Sequence, residues 1–184
     1  EPLFVEYHYG KQAGSEYVIG IRQNIRNDRP IIGHYNVNKS GSGDMYPKGA
    51  NMLHTLRQVV NDDEKWRGIL RGLNRDFYHQ TVTTEQIENY LSQHSGRDLK
   101  RFFDQYLRDT RIPELEYRVE KKKLTYRWAN AVEGFNMPVK VYLNGVETWL
   151  EPTTNWKELK KVKAGTKLTI DPNFYVQGGE KLES

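Results

Sequence analysis

The sequence predicts an α+β protein: a helical part over residues 1–112, a small antiparallel β-sandwich over 113–177, and a polar tail over 178–184. Three observations carry this expectation. The apolar period changes from about 3.6 to 2 at Ile112-Pro113. Upstream of that switch, Thr83-Thr84-Glu85-Gln86 is a capping box that opens a helix. Downstream, Asn144-Gly145 is the preferred two-residue turn of a β-hairpin.

The elements follow in order. Leu3, Phe4 and Tyr7 share one side of a first helix that Gly10 stops. Ala13, Tyr17, Ile21, Asn24 and Ile25 continue at helical spacing, and Asn27-Asp28-Arg29-Pro30 ends that run because the residue before proline avoids the α region. Residues 28–45 form a long loop, a length that in compact domains often serves function. Four helices come next. The first carries Tyr46, Ala50, Leu53, Leu56 and Val60, and the second Trp66, Ile69, Leu70, Leu73 and Phe77. The third presents Ile87, Tyr90 and Leu91, and the fourth Leu99, Phe102, Phe103, Tyr106 and Leu107. Their short connections predict antiparallel neighbours. Beyond Pro113, Leu115, Tyr117 and Val119 alternate with charges, and after a turn at Lys121-Lys122 so do Leu124, Tyr126 and Trp128. Val139 to Leu143 and Val146 to Leu150 flank the Asn144-Gly145 turn, and Leu168 and Ile170 mark a late strand. From Gln177 onward the chain is polar and is expected to fray.

The totals bound the function. A chain of 184 residues that is 36% apolar can bury a core with little to spare. Twelve tyrosines suit half-buried surfaces and clefts, because each adds a hydrogen-bonding tip to apolar area. The net charge of +4 is split evenly between residues 1–112 and 113–184, unlike the basic stripe of a nucleic-acid binder. With no cysteine there is no disulfide, thiolate ligand or thiol nucleophile. No apolar run reaches the roughly 18 residues of a membrane span. The opening EPLFVEYHY has neither cap nor initiator methionine and is already helical in pattern, so the chain is expected to be a fragment.

Few motifs carry chemistry. His8, His34, His54, His79 and His94 include no pair at i and i+4 and no HExxH, so no complete metal site is visible. A G-x-S-x-G elbow is lacking, and SGSGD at 40–44 has neither the lysine nor the strand context of a phosphate loop. The basic runs at 121–123 and 157–163 read as a solvated face, and Tyr126, Trp128 and Trp149 as core. Tyr46 stands at the first turn of a helix beside Pro47, a residue welcome there. Its spacing aligns it with the core face; whether it is packing or aimed at a ligand stays open on spacing alone.

The residues around Tyr46 add a resemblance. Tyr46-Pro47-Lys48-Gly49-Ala50, followed by Met52-Leu53-His54-Thr55-Leu56-Arg57, resembles the Tyr-x-Lys-Gly-Ala helix of the aminopeptidase N family of gluzincin zinc peptidases. Asp63-Glu64-Lys65-Trp66 is similar to the segment leading to that family's next helix, and Thr83 to Gln86 to its threonine-capped helix. Ser95-Gly96-Arg97-Asp98-Leu99 with Phe102-Phe103-Asp104-Gln105-Tyr106-Leu107 resembles its Ser-Gly-x-Asp-Leu and Phe-x-x-Gln-Trp-Leu stretch, and Ile112-Pro113-Glu114-Leu115 the opening of its β-domain. The resemblance is closest over residues 44–117, good over 1–43 and only architectural after 117.

It implies that residues 1–112 are the helical rear half of a thermolysin-like catalytic domain acting on peptides. In that family two HExxH histidines and a later glutamate hold zinc, and the HExxH glutamate is the general base. A tyrosine of the Tyr-x-Lys-Gly helix donates to the developing oxyanion, the role the resemblance gives Tyr46. A phenol is protonated at neutral pH and can serve there. HExxH and the glutamate ligand are missing from these residues. All zinc ligands, the general base and the amine-recognising glycine-rich motif are therefore expected before Glu1, on a missing N-terminal half of the same polypeptide. Residues 1–9 would continue the helix that carries the third ligand. This chain alone would hold no zinc and cleave nothing. Pro47 replaces the acidic residue often found after the tyrosine, and Tyr106 the usual tryptophan, which suggests a divergent, bacterial branch. A secreted or periplasmic parent would be ordinary for such peptidases. The rival expectation is a non-catalytic peptide-binding or scaffold relative with the same fold. A stand-alone nucleic-acid module is the third; it would bind heparin with a steep salt dependence.

Overall fold

The structure, a computed structural model, describes residues 1–34, 41–120 and 122–180. Among the described residues six α-helices precede seven strands: α1 (Pro2–Tyr9), α2 (Lys11–Gly20), α3 (Pro47–Val60), α4 (Asp63–Asp76), α5 (Thr84–Ser95) and α6 (Lys100–Arg108), then β1 (Glu114–Glu120), β2 (Lys123–Ala129), β3 (Val139–Leu143), β4 (Val146–Leu150), β5 (Lys157–Lys160), β6 (Leu168–Ile170) and β7 (Gln177–Glu180). The fold is α+β. The expected turn at Lys121-Lys122 and the middle of the 28–45 loop lie partly outside the described residues.

Local chemistry explains the helix ends. Gly10, at φ 93°, breaks α1 from α2. The two helices then fold back closely, since a β-carbon on Gly14 would lie 2.8 Å from Glu6 Cβ. After a 3-10 turn at Ile21–Asn24 the backbone becomes extended at Ile25. The Asp44 carboxylate takes the next two amides, Arg26 N at 3.0 Å and Asn27 N at 2.6 Å, in place of helix carbonyls. Asp62 caps α4 by accepting from Lys65 N at 2.9 Å. The capping box of α5 forms, with Thr83 and Gln86 exchanging side-chain and backbone hydrogen bonds. Gly96 closes that helix in the left-handed conformation.

The strands make two sheets, ordered β5-β2-β1-β7 and β4-β3-β6. Pairing is antiparallel except for β1 with β7, which is parallel. That pair corrects two expectations, since the sheet is not wholly antiparallel and residues 178–180, read as tail, belong to it. A strand as poor in apolar side chains as QGGE is held by backbone pairing. A β-carbon on Gly178 would fall 2.3 Å from Ile170 Cδ1, so glycine is what lets β7 reach its place. Asn144 and Gly145 both have positive φ, as the tight hairpin requires.

One apolar cluster runs through both parts, from Leu56, Val59 and Trp66 through Phe103 and Tyr106 to Leu115, Trp128, Val141 and Phe174. Tyr126 and Trp128 are core; Trp149 is only half-buried. Polar bonds fix the junction between helices and sheets. Tyr106, wholly buried, donates to the Tyr175 carbonyl at 2.8 Å, and burial pushes its hydroxyl pKa far up. Gln105 joins Arg111 O and Val132 N, and Thr55 Oγ1 accepts from Tyr175 N at 2.9 Å.

Candidate functional site

Residues 42–60 build the most distinctive surface. Ser42 caps a 3-10 turn at Gly43–Met45 by accepting from Asp44 N at 3.2 Å. Its hydroxyl also donates to Asp28 at 2.7 Å, which holds the Asp28 carboxyl below the usual range. Tyr46 joins that turn to α3, and Pro47 takes the first helical position. The Tyr46 side chain is 77% exposed.

That exposure corrects the expectation that its spacing puts Tyr46 on the core face. Leu53, expected on the same face, is 38% exposed. The buried face of α3 is rotated from the one its apolar spacing suggests: it carries Met52, Leu56 and Val59 and, beside them, the polar side chains of Lys48, Asn51, His54, Thr55 and Arg57. Each has polar work. Lys48 Nζ donates to Asp109 O at 2.9 Å. Asn51 Nδ2 donates to Val18 O and Pro47 O, while its oxygen accepts from Arg22 Nε at 2.6 Å. His54 Nε2 lies 2.9 Å from Asn173 Oδ1, and burial pushes its pKa down, so the ring is neutral at pH 7.

Tyr46 stands at the rim of a groove of about 540 Å³. Leu3 and Glu6 of α1, Met45, Leu53 and Arg57 around α3, and Trp66 of α4 contribute to its walls. The surface is mostly apolar with an ionic end. Arg57 donates to both Glu6 oxygens, at 2.5 and 2.9 Å, and through Nε to Asp63 at 2.8 Å. Asp63 also accepts from Lys11 at 2.7 Å. Hydrogen bonds from the Arg57 guanidinium lower the pKa of both carboxyls, that of Asp63 the further. Four helices thus meet in one network, and it sets the position of α1 against α3.

Such a groove can seat an apolar segment and present a hydroxyl donor at its edge. The structure does not gather a metal site: among the described residues no three histidine, cysteine or carboxylate side chains could hold an ion. His8 and His34 are exposed, and His94 stacks on Tyr90 at 3.9 Å. The basic face of the strands is laced with partners, as in Lys123 to Glu158 at 2.9 Å and Arg127 to Glu116 at 2.8 Å. Among the described residues no helix is long and apolar enough to cross a membrane.

Sequence reasoning missed Asp44, Lys48 and Asn51 as a buried polar set. The available signal was the polar spacing 44, 48, 51 and 55 alongside the apolar stripe of α3.

No family model matches the chain. It is 26% identical over 131 residues to aminopeptidase N of Lactococcus lactis subsp. lactis, a stretch that is 71% of this chain and 14% of that protein. Its fold matches that of Legionella pneumophila aminopeptidase A, solved in complex with aspartic acid, with a TM-score of 0.69 at 15% identity. That match covers 99% of this chain and 23% of the Legionella chain. The chain therefore spans under a quarter of the length of either protein; the first likeness is one of sequence and the second, at 15% identity, one of fold alone.

Proposed function

We propose that this chain is the rear portion of a zinc-dependent aminopeptidase-like peptidase, with Tyr46 as its transition-state donor. Residues 1–112 are the helical part of a thermolysin-like gluzincin catalytic domain, and the two sheets form its small β-sandwich. The observation that carries the reading is the placement of Tyr46. A helix-start tyrosine with core spacing is instead 77% exposed at the rim of an apolar groove, within the Tyr-x-Lys-Gly-Ala pattern. An exposed phenol at the edge of that groove can reach a bound carbonyl.

In this reading the scissile carbonyl of a peptide lies beside Tyr46. As the carbonyl carbon becomes tetrahedral, negative charge grows on its oxygen and the phenol donates a hydrogen bond to it. A donor already in place costs no reorganisation at that moment. Zinc would polarise the carbonyl and activate water. Its ligands and the general base belong to the N-terminal half of the same polypeptide, outside residues 1–184, and that half covers the groove. The apolar residues exposed on α1, Leu3, Phe4, Tyr7 and Tyr9, support this arrangement.

The test compares the full-length protein with the 184-residue chain on aminoacyl-arylamides. The full-length protein should release the arylamine, lose activity to a chelator and regain it with zinc, while the chain alone is inert. A chelator-sensitive rate from the chain would overturn the division of labour. An inert, zinc-free full-length protein would favour the rival, a peptide-binding or scaffold relative.

A further inference from the structure

We propose that Lys48 and Asp44 are positioning residues for Tyr46, a pair of buried ionic anchors that aim its hydroxyl; the inference rests on the function proposed above. The two lie two residues to either side of a tyrosine that is 77% exposed, yet Asp44 is 2% exposed and Lys48 1%. Burying an ammonium or a carboxylate is costly, and an apolar residue of similar volume often packs at least as well. Burial indeed pushes the Lys48 pKa down. Packing alone does not call for these charges.

Their bonds show what they hold. Lys48 reaches from the first turn of α3 to the carbonyl of Asp109, the residue after the last turn of α6. A helix C-terminus favours a cation, so this fastens the start of α3 to the end of α6. Asp44 fastens the preceding turn through Arg26 N and Asn27 N, and its carboxylate also favours the charged form of Lys48. Asn51, wholly buried, ties the Pro47 carbonyl to α2 through Val18 O. The Tyr46 backbone therefore enters and leaves through fixed points. Pro47 biases the preceding residue away from the helical region, while Tyr46 is helical at φ −81° and ψ −66°. The anchors hold that conformation, which sends the side chain outward to the groove.

The test is a double-mutant cycle in the full-length protein. Lys48→Met keeps the stem and removes the ammonium, and Asp44→Asn keeps the shape and removes one acceptor. Each should lower kcat on an aminoacyl-arylamide by about 10²-fold, the scale of a misplacement near 1 Å, with KM changed by less than about threefold. In a Tyr46→Phe background each should cost less than about threefold further, because the hydroxyl they aim is already gone. An equal loss in both backgrounds, or none in the wild type, would overturn the proposal. Should Lys48→Met fail to fold, Asp44→Asn carries the same cycle. If the protein is no peptidase, or Tyr46→Phe alone has no effect, the functional reading has failed, and amide exchange then decides this inference. Faster exchange confined to residues 42–50 in the variants would sustain the anchors; unchanged or chain-wide exchange would overturn them.

Discussion

Replacing Arg57 by methionine should destabilise the chain by about 3 kcal/mol at neutral pH. The side chain is 8% exposed and joins Glu6, which is 19% exposed, to Asp63. Breaking one partner out of a buried pair costs about 3–5 kcal/mol, because the other charge stays buried and unpaired. Here the low end applies. Glu6 can draw some water, Asp63 keeps Lys11 at 2.7 Å, and methionine retains much of the apolar stem. For a chain of this length about 3 kcal/mol lowers Tm by about 6–12 °C. The pH dependence has a defined sign. Arg57 depresses both carboxyl pKa values in the folded state. Their stabilisation is therefore full above the ordinary carboxylate pKa of about 4 and is lost as pH falls through the lowered folded values. The gap between the wild-type and variant curves should be full at pH 7, begin to narrow below about pH 4 and be clearly smaller at about pH 2. Urea unfolding followed by the fluorescence of the four tryptophans reads both. A gap under about 1 kcal/mol at pH 7, within the range of an ordinary surface pair, would refute the reasoning. So would a gap of the same size at pH 7 and at about pH 2.

Two further outcomes rest on single contacts. Gly72→Ala would place a β-carbon 2.1 Å from the Tyr90 hydroxyl where α4 meets α5, so it should cost about 1–3 kcal/mol in thermal melts; adding Tyr90→Phe removes the clashing oxygen and should recover most of that loss. Tyr106→Phe leaves the buried Tyr175 carbonyl without its donor and should cost about 1–3 kcal/mol in urea, whereas wild-type stability would mean that the 2.8 Å bond does not fasten the sheets to α6.

What the sequence discloses and what it hides have physical causes. The helices were legible because Leu56, Trp66, Ile69, Phe102 and Phe103 recur at helical spacing and bury as expected. Thr83, Gly96 and Asn144-Gly145 declare chain ends and turns through local bonding that needs no tertiary context. Two strands were hidden for the opposite reason. In β5 Leu159 is the one apolar residue, and in β7 there is none, so their pairing rests on the backbone of β2 and β1. Around Tyr46 the apolar period misleads. Lys48, Asn51 and Arg57 are buried by partners distant in sequence, at Asp109, Val18 and Glu6, and those partners turn α3 so that Tyr46 and Leu53 face outward. Spacing cannot reveal a polar residue buried by its partners.

Steady-state kinetics of Tyr46→Phe in the full-length protein test the role of the Tyr46 hydroxyl most directly. Losing one preorganised donor to an oxyanion should lower kcat by about 10²- to 10³-fold while KM changes little. Phenylalanine keeps the ring that lines the groove, so binding and folding should persist. Equal rates for variant and wild type would contradict the claim and leave Tyr46 a surface residue of a peptidase-like scaffold.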